Sequence, residues 1–555
     1  MAARSLPTDT VALVVGGGPV GLIMSALLRA HGIDHVVIER RGDVQAAPAA
    51  HVVNARTFEI MRSAGIDMDA VWAMCRPAAD GWVRWVTTLT GDELGFVPFE
   101  LQDRIDTLDA ITPTPLRNLS QHRLEPILRA HAGDSLAAGV EWVKAVQGDG
   151  FVTSTVRDVA TGTTSLIRST YLIGADGAGS PVRRATSITM EGPPRLQGFL
   201  GIHVEVDLRA VVAHRPATLY WILEPDIGGT FIAHDIDGDW VYMQTFDPDT
   251  EQLSDYTPER CAEIFRRAVG TDIGEFTVRG VAPWNMSCQV ASHYREGNTF
   301  LIGDAAHRFP PTGGMGLNTG VADAHNLAWK IAAVEHGWGS PTLLDTYEAE
   351  RRPVAQTNAT QSLDNAMKLF EVVMALGIDA DPEVTRRNYT EAVTTPEGRA
   401  RVRAAAEAQA PHFDMLGLQL GYAYVPDGGL VIDDGTPAVA PADPVREYVP
   451  TTRPGGRLPH AWVERDSATV STLDLVPTGR FLLLTSSPAW AAVGQALTGG
   501  DVPLDVATVP ADALEGAVVL VRPDQHVAWR SLLEPDADAT AELAGTLTAL
   551  SGHRG

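Results

Sequence analysis

Apolar positions along the chain follow two different periods, and the sequence divides where the period changes. Val11-Ala12-Leu13-Val14-Val15 is an unbroken apolar run ending on Gly16, the pattern of a short strand buried on both faces. Over 22–31 the apolar residues recur at helical spacing, and Val36-Val37-Ile38 returns to a strand. Strand, glycine loop, helix and strand in that order predict a parallel α/β unit. Two later runs, Tyr171-Leu172-Ile173 and Leu301-Ile302, are again short and apolar, and glycine and aspartate follow each. Between them the character changes. Residues 199–206, 218–223 and 240–246 form aromatic-rich stretches of strand length, and Gly238 with its flanking acids predicts a hairpin.

Helical spacing then takes over. Residues 320–335 read as one helix ended by Gly337-Trp338-Gly339-Ser340-Pro341, 343–352 as a second stopped by Pro353, and 358–376 as a third. Pro382 and Pro396 break later helical pieces, and 399–409, rich in Ala and Arg, is expected to be exposed. Pro, Gly and Asp crowd 428–456, a connecting stretch. Beyond it, 481–484, 502–509 and 517–521 predict strands and 539–550 a closing helix.

Composition narrows the classes. The chain of 555 residues is long enough for two to four domains. Its formal charge, 43 − 69 = −26, repels a polyanion, so no nucleic-acid partner is expected. Cys75, Cys261 and Cys288 are an odd, widely spaced set, which predicts neither a disulfide framework nor a thiolate metal site; no metal is expected. No apolar stretch reaches the roughly 18 residues of a membrane span, and Met1 to Thr10 has no export-signal pattern. The expected location is cytoplasmic.

The glycines carry the first chemistry. Gly16-Gly17-Gly18-Pro19-Val20-Gly21 is G-x-G-x-x-G between a strand and a helix, with Glu39 at the end of the next strand, where a ribose diol would be bonded, and Arg40 beside it. This order predicts an ADP-containing cofactor without choosing between NAD and FAD. The segment from Leu301 to Asn318 narrows the choice. Asp304 follows its strand, Pro310-Pro311 makes a rigid turn, and Gly313, Gly314 and Gly316 bring bare backbone and a helix start (Met315, Leu317, Asn318) against something flat. A third strand ends in Asp176-Gly177, a return that a simple dehydrogenase does not need. Together these elements predict FAD, with Asp304 bonded to ribityl hydroxyls.

Taken in order, these motifs resemble the class A flavoprotein aromatic monooxygenases, the para-hydroxybenzoate and phenol hydroxylase group. His51-Val52-Val53-Asn54-Ala55-Arg56-Thr57-Phe58-Glu59 and Arg117-Asn118-Leu119-Ser120-Gln121 are similar to flavin-contacting segments of that group, which implies cofactor-side roles for Arg56, Arg117 and Gln121. Arg457-Leu458-Pro459-His460-Ala461-Trp462, Ser471-Thr472-Leu473-Asp474-Leu475 and the stretch 521–530 are similar to the branch of 2,4-dichlorophenol 6-monooxygenase and the aromatic polyketide hydroxylases, where they belong to a thioredoxin-like domain. No C-x-x-C occurs there, so that domain is expected to be redox-inert and to serve packing or contact in a homo-oligomer. The fold class expected is α/β: a Rossmann-like FAD-binding domain with an inserted β-sheet substrate domain and a C-terminal thioredoxin-like domain. The boundaries expected are 1–190 and 290–410 for the two FAD-binding parts, with a substrate-side segment at about 76–114. The substrate sheet takes 191–289, a linker 411–456 and the last domain 457–555.

The resemblance further implies hydroxylation of a hydroxy-aromatic ring (phenol, naphthol, hydroxypyridine or polyketide type) with NAD(P)H and O2 through a flavin hydroperoxide. Tyr220, Trp221, Phe231, Trp240 and Trp284 are the candidates to stack on such a small aromatic substrate, with core packing the competing reading of each. For a base toward the substrate hydroxyl the chain offers His51 and Asn54 by likeness and Tyr242 and Gln244 from the sheet, and it selects none of them. His307, beside Asp304, reads equally as bonded within its own loop. Two other classes stay open: another flavoenzyme on the same scaffold, halogenase or reductase, and a non-enzymatic flavin-binding interaction protein.

Overall fold

A computed structural model describes residues 6–44, 49–76, 81–99, 105–438 and 440–553. The strand Asp9–Val15 pairs in parallel with Thr164–Gly174 on one side and His35–Glu39 on the other, and Thr299–Leu301 and Leu136–Ala138 extend this sheet, also in parallel. An antiparallel pair, Val140–Gln147 and Val152–Asp158, folds back on Thr164–Gly174. The apolar runs are continuous because both faces are covered: Ala12, Leu13, Val14, Leu172, Ile173 and Leu301 are all buried. Helices Pro19–Ala30 and Met315–Glu335 pack together closely. A Cβ on Gly320 would come within 2.7 Å of the Gly303 Cα and 2.9 Å of Val20, so the close approach needs glycine.

The second sheet has seven strands in the order Thr277–Met286, Gln197–Glu205, Asp239–Thr245, Gly229–Asp235, Leu219–Ile222, Trp82–Val86 and Glu93–Pro98. The last two come from the 76–114 segment, of which 77–80 and 100–104 lie outside the described residues. Gly238 sits in the hairpin between Gly229–Asp235 and Asp239–Thr245. Helix Pro258–Val269 covers one face of the sheet through Cys261 and Phe265.

Two helical expectations are corrected. Pro353 does not stop a helix: Thr346–Leu376 runs through it. Pro353 is exposed while Tyr347, Arg351 and Val354 beside it are buried, so packing holds both halves in line. The Ala/Arg-rich stretch is not simply exposed either. Helix Pro396–Glu407 buries Val402 and Ala406, and a Cβ on Gly95 of the second sheet would meet Ala406 at 2.6 Å.

The last unit has the strand order Leu504–Thr508, Phe481–Thr485, Val518–Val521, Val527–Ser531, the first pair parallel and the others antiparallel, flanked by helices Pro488–Leu497 and Ala539–Leu550. It docks on the first sheet's helices through buried ion pairs: Arg457 with Glu59 at 2.5 Å, and Arg522 with Glu350 at 2.6 Å. No helix among the described residues is long and apolar enough to cross a membrane.

Candidate active site

Thr299–Leu301, Thr164–Gly174, Asp9–Val15 and His35–Glu39 are adjacent parallel strands, and their carboxyl ends bring together motifs that are far apart in sequence. Ligands of open parallel sheets bind at such ends. Asp304, Asp176, Gly16 and Glu39 follow the four strands in that spatial order, and all line one cavity of about 2030 Å³.

Gly16 has φ +114°, and a Cβ there would stand 2.2 Å from the Ala175 carbonyl oxygen; on Gly21 it would stand 2.0 Å from the Gly16 carbonyl oxygen. Bare backbone is therefore obligatory in this turn. Gly18 caps Pro19–Ala30 without a side-chain hydrogen bond, so the first N–H groups of the helix, beside Pro19 and Val20, face the cavity. Glu39 accepts from the Gly17 N–H at 2.7 Å and the Arg41 N–H at 2.8 Å, which fixes its carboxylate at the cavity edge next to Arg40.

Across the cavity, Asp304 sits in the single turn Gly303–Ala305 with its side chain opening into the cavity. The surrounding protein raises its pKa against the opposing pull of His307 and Arg308. Burial likewise raises Asp176, which accepts hydrogen bonds from the Ser180 hydroxyl and the Val182 N–H. Pro311, Gly314, Met315, Gly316 and Leu317 complete this wall, and a Cβ on Gly314 would press to 2.7 Å from Val52. His307 is fully buried, stacks on Phe309 with ring centroids 4.8 Å apart and pairs with Asp323 at 2.7 Å, tying the loop to helix Met315–Glu335. A glycine cradle, a helix start without a side-chain cap and carboxylates at both ends are what an FAD needs, and the residues present fit it.

The second sheet forms the opposite wall, and strand parity decides which side chains reach it. Leu219, Trp221, Thr230, Ile232, Val241, Met243 and Trp284 line the cavity, Trp284 stacked on Phe199 at 4.8 Å. Tyr220, Phe231, Trp240 and Tyr242 point the other way, fully buried beneath helix Pro258–Val269. The Tyr220 and Tyr242 hydroxyls donate to the Arg215 and Ile227 carbonyls, the Trp240 indole N–H donates to the Ile236 carbonyl, and the Gln244 amide donates to the Tyr256 hydroxyl. Substrate stacking by Tyr220, Phe231 and Trp240, and base roles for Tyr242 and Gln244, are thereby corrected. Both faces of the sheet are apolar, so alternation in the sequence could not separate them.

Four further residues do not lie on the wall of the large cavity. Arg56 is bound by Glu59, Gln525 and the Asp524 carbonyl, facing the C-terminal unit. The Arg117 guanidinium donates to the Leu116 carbonyl. Asn54 caps helix Ala55–Ser63 by accepting from the Thr57 N–H at 2.9 Å. Asn318 accepts from the Asn54 N–H and donates to the Val52 and Gly314 carbonyls, clamping the glycine turn to Val52–Val53. Gln121 and His51 do line the cavity.

His51 is set by its neighbours. The Asn118 amide donates to the Ala233 carbonyl at 3.0 Å, so its oxygen faces His51 and accepts from Nδ1–H at 3.0 Å. Burial lowers the His51 pKa to about 4, against the opposing hydrogen bond, and leaves a neutral ring whose remaining polar atom is the Nε2 acceptor. His234 lies edge-on at 5.2 Å, bonded to Ser120 and lowered by burial too. The sequence reading missed His234, Phe99, His412 and Phe413, all on the wall. Phe413 packs on Phe99 and Trp85 from helix Ala410–Phe413, a piece too short to show periodicity.

Residues 9–362 match the family model of the FAD binding domain, and 451–553 that of the aromatic-ring hydroxylase C-terminal domain. The chain is 32% identical over 595 residues to 2,4-dichlorophenol 6-monooxygenase of Delftia acidovorans, covering 100% of both. It is 33% identical to a putative polyketide hydroxylase of Streptomyces halstedii, over 95% of this chain and 94% of that one. Among solved structures, the flavin-dependent monooxygenase PieE in complex with FAD and substrate superposes with a TM-score of 0.91 at 33% identity, over 99% of this chain and 100% of that chain. A ternary complex of aklavinone-11 hydroxylase with FAD and aklavinone gives 0.81 at 29% identity, over the same shares. Sequence, fold and cavity agree, and the chain belongs to the FAD-dependent aromatic-ring hydroxylases.

Proposed function

We propose that the protein hydroxylates a fused, hydroxy-substituted aromatic ring held between the FAD cradle and the wall of Trp221 and Trp284, using NAD(P)H and O2, with His51 accepting a hydrogen bond from the substrate hydroxyl. One observation carries this reading: a single cavity of about 2030 Å³ joins the dinucleotide cradle to the aromatic wall. A pocket for one small ligand occupies roughly 300–1,000 Å³. The volume therefore accommodates the dinucleotide and a multi-ring substrate together, as the polyketide hydroxylase relatives would require.

Bound FAD supplies reduction by NAD(P)H and activation of O2. The chain's own residues do the rest. Trp221, Ile232 and Met243 hold the ring flat and exclude water. Asn118 fixes the His51 tautomer, and the neutral Nε2 accepts a hydrogen bond from the substrate hydroxyl, which orients the ring and enriches it in electrons toward an electrophilic oxygen. The test is to offer the yellow holoenzyme hydroxynaphthoquinones, hydroxyanthraquinones and chlorophenols and to follow NADH and NADPH consumption and product mass. Coupled gain of one oxygen on the fused rings is expected. Coupling to single-ring phenols alone, or peroxide without product, overturns the reading.

A further inference from the structure

Behind the glycine turn lies a second cavity, small and with two arginines in its wall. Its volume is about 30 Å³, and Gly313, Gly314 and Met315 separate it from the large cavity by lining both. Arg56, Arg351, Gln419 and Tyr422 are among the polar residues of its wall, with the Arg351 guanidinium 5.2 Å from the Tyr422 ring centroid. Arg56 is 2% exposed and Arg351 1%. Arg56 commits Nη1 to Glu59 and Gln525 and Nη2 to the Asp524 carbonyl; Arg351 commits Nε to Asp323 and Nη2 to the Thr319 carbonyl. Arg56 Nε, Arg351 Nη1 and Gln419 Oε1 are buried with no hydrogen-bond partner among the described residues. Buried guanidinium N–H groups left unbonded are costly, and such orphans point to an occupant.

The surrounding charges do not cancel. Among the described residues this interior network holds Arg56, Lys330, Arg351, Arg457 and Arg522 against Glu59, Asp323, Glu350 and Asp524, all with side chains at most 3% exposed. Five cations thus meet four carboxylates. Burial keeps His325 and His526 neutral, and it lowers Lys330 only to about 8, so the ammonium stays charged at pH 7. Asp414, a neighbouring buried carboxylate, is taken by Arg446 at 2.9 Å. One positive charge is left over where water does not screen it.

We infer that the small cavity binds a monovalent anion of halide size between Arg56 and Arg351. A site of about 30 Å³ has room for one or two water-sized occupants, which admits chloride or bromide and excludes larger anions. Guanidinium N–H groups are the donors such an ion needs, and Gln419 can turn its amide N–H toward it. The bound ion also buttresses the turn whose other side faces the FAD cradle.

The test uses the holoenzyme in gluconate buffer, titrated with chloride or bromide at constant ionic strength. The Tm is expected to rise saturably by roughly 2 °C or more, and crystals grown in bromide should show an anomalous peak between Arg56 and Arg351. Gln419→Glu places a tethered carboxylate in the same space. It should keep the yellow colour and make the Tm indifferent to halide. A wild-type Tm that ignores halide, with only water in the cavity, overturns the site. So does a halide response that Gln419→Glu leaves intact. Should that variant fail to fold, the bromide peak alone decides.

Discussion

On one face of the seven-stranded sheet Leu219, Trp221, Ile232 and Met243 look into the cavity; on the other Tyr220, Phe231, Trp240 and Tyr242 interlock beneath helix Pro258–Val269. Composition hardly separates the two faces, whereas packing does. On the covered face Phe231 meets Tyr242 at 4.8 Å, Phe265 at 5.2 Å and Trp240 at 6.1 Å, and the polar atoms of Tyr220, Trp240 and Tyr242 donate to backbone carbonyls. On the open face Trp221 and Trp284 border the cavity. An aromatic side chain enclosed on every side is structural, and one that faces a cavity is a wall available to a ligand.

The largest effect that sharpens this contrast comes from the covered face. Trp240→Ala leaves a cavity in a fully buried cluster and should cost about 3–5 kcal/mol in denaturant unfolding of the holoenzyme. A loss below about 1 kcal/mol would mean that this face is not core. Next comes His51, proposed as the acceptor for the substrate hydroxyl on the open side. His51→Ala should slow hydroxylation by about 10²-fold, the size of one lost hydrogen bond to a group gaining charge, while reduction of the flavin by NAD(P)H keeps its rate. Equal slowing of both steps breaks the assignment.

How far the sequence could be read follows the same divide. The cofactor half was legible because its chemistry is backbone chemistry: glycine at Gly16 and Gly314 and carboxylates at three of the four strand ends are residue types that this cradle explains. Adjacency of four strand ends then followed from parallel α/β order. The substrate half was not legible to the same degree. With both faces buried, period-two alternation carries no polarity signal, and Trp221 cannot be told from Tyr220 without knowing which face helix Pro258–Val269 covers. Arg56 shows a related limit. It lies in a segment similar to flavin-contacting ones, yet its partners Asp524 and Gln525 come from the far end of the chain, and only the fold brings them there.

Trp221→Ala tests the open face with a smaller effect. It should raise KM for the aromatic substrate about tenfold, which is about 1.4 kcal/mol of lost contact, and leave the unfolding midpoint nearly unchanged. A stability loss like that of Trp240→Ala would erase the distinction between the faces.

The smallest effect is on pH dependence, where the open side carries buried histidines and the covered face carries Tyr220 and Tyr242. Burial lowers His412 to about 3 and His51 to about 4 from the ordinary 6.5. Their folded values lie below the unfolded one, so between about pH 6.5 and 4 the unfolded chain binds protons that the native protein refuses. Stability is then full above pH 6.5 and falls as the pH drops through that window. Removing one such group should flatten the fall: for His412→Gln, by roughly 1 kcal/mol between pH 6.5 and 5.5, read from urea midpoints at the two values. Tyr242→Phe, on the covered face, should leave the slope unchanged, since burial pushes that hydroxyl above its ordinary value and it stays protonated throughout the window. A slope that responds to Tyr242→Phe and not to His412→Gln would place the titrating groups on the wrong side of the sheet.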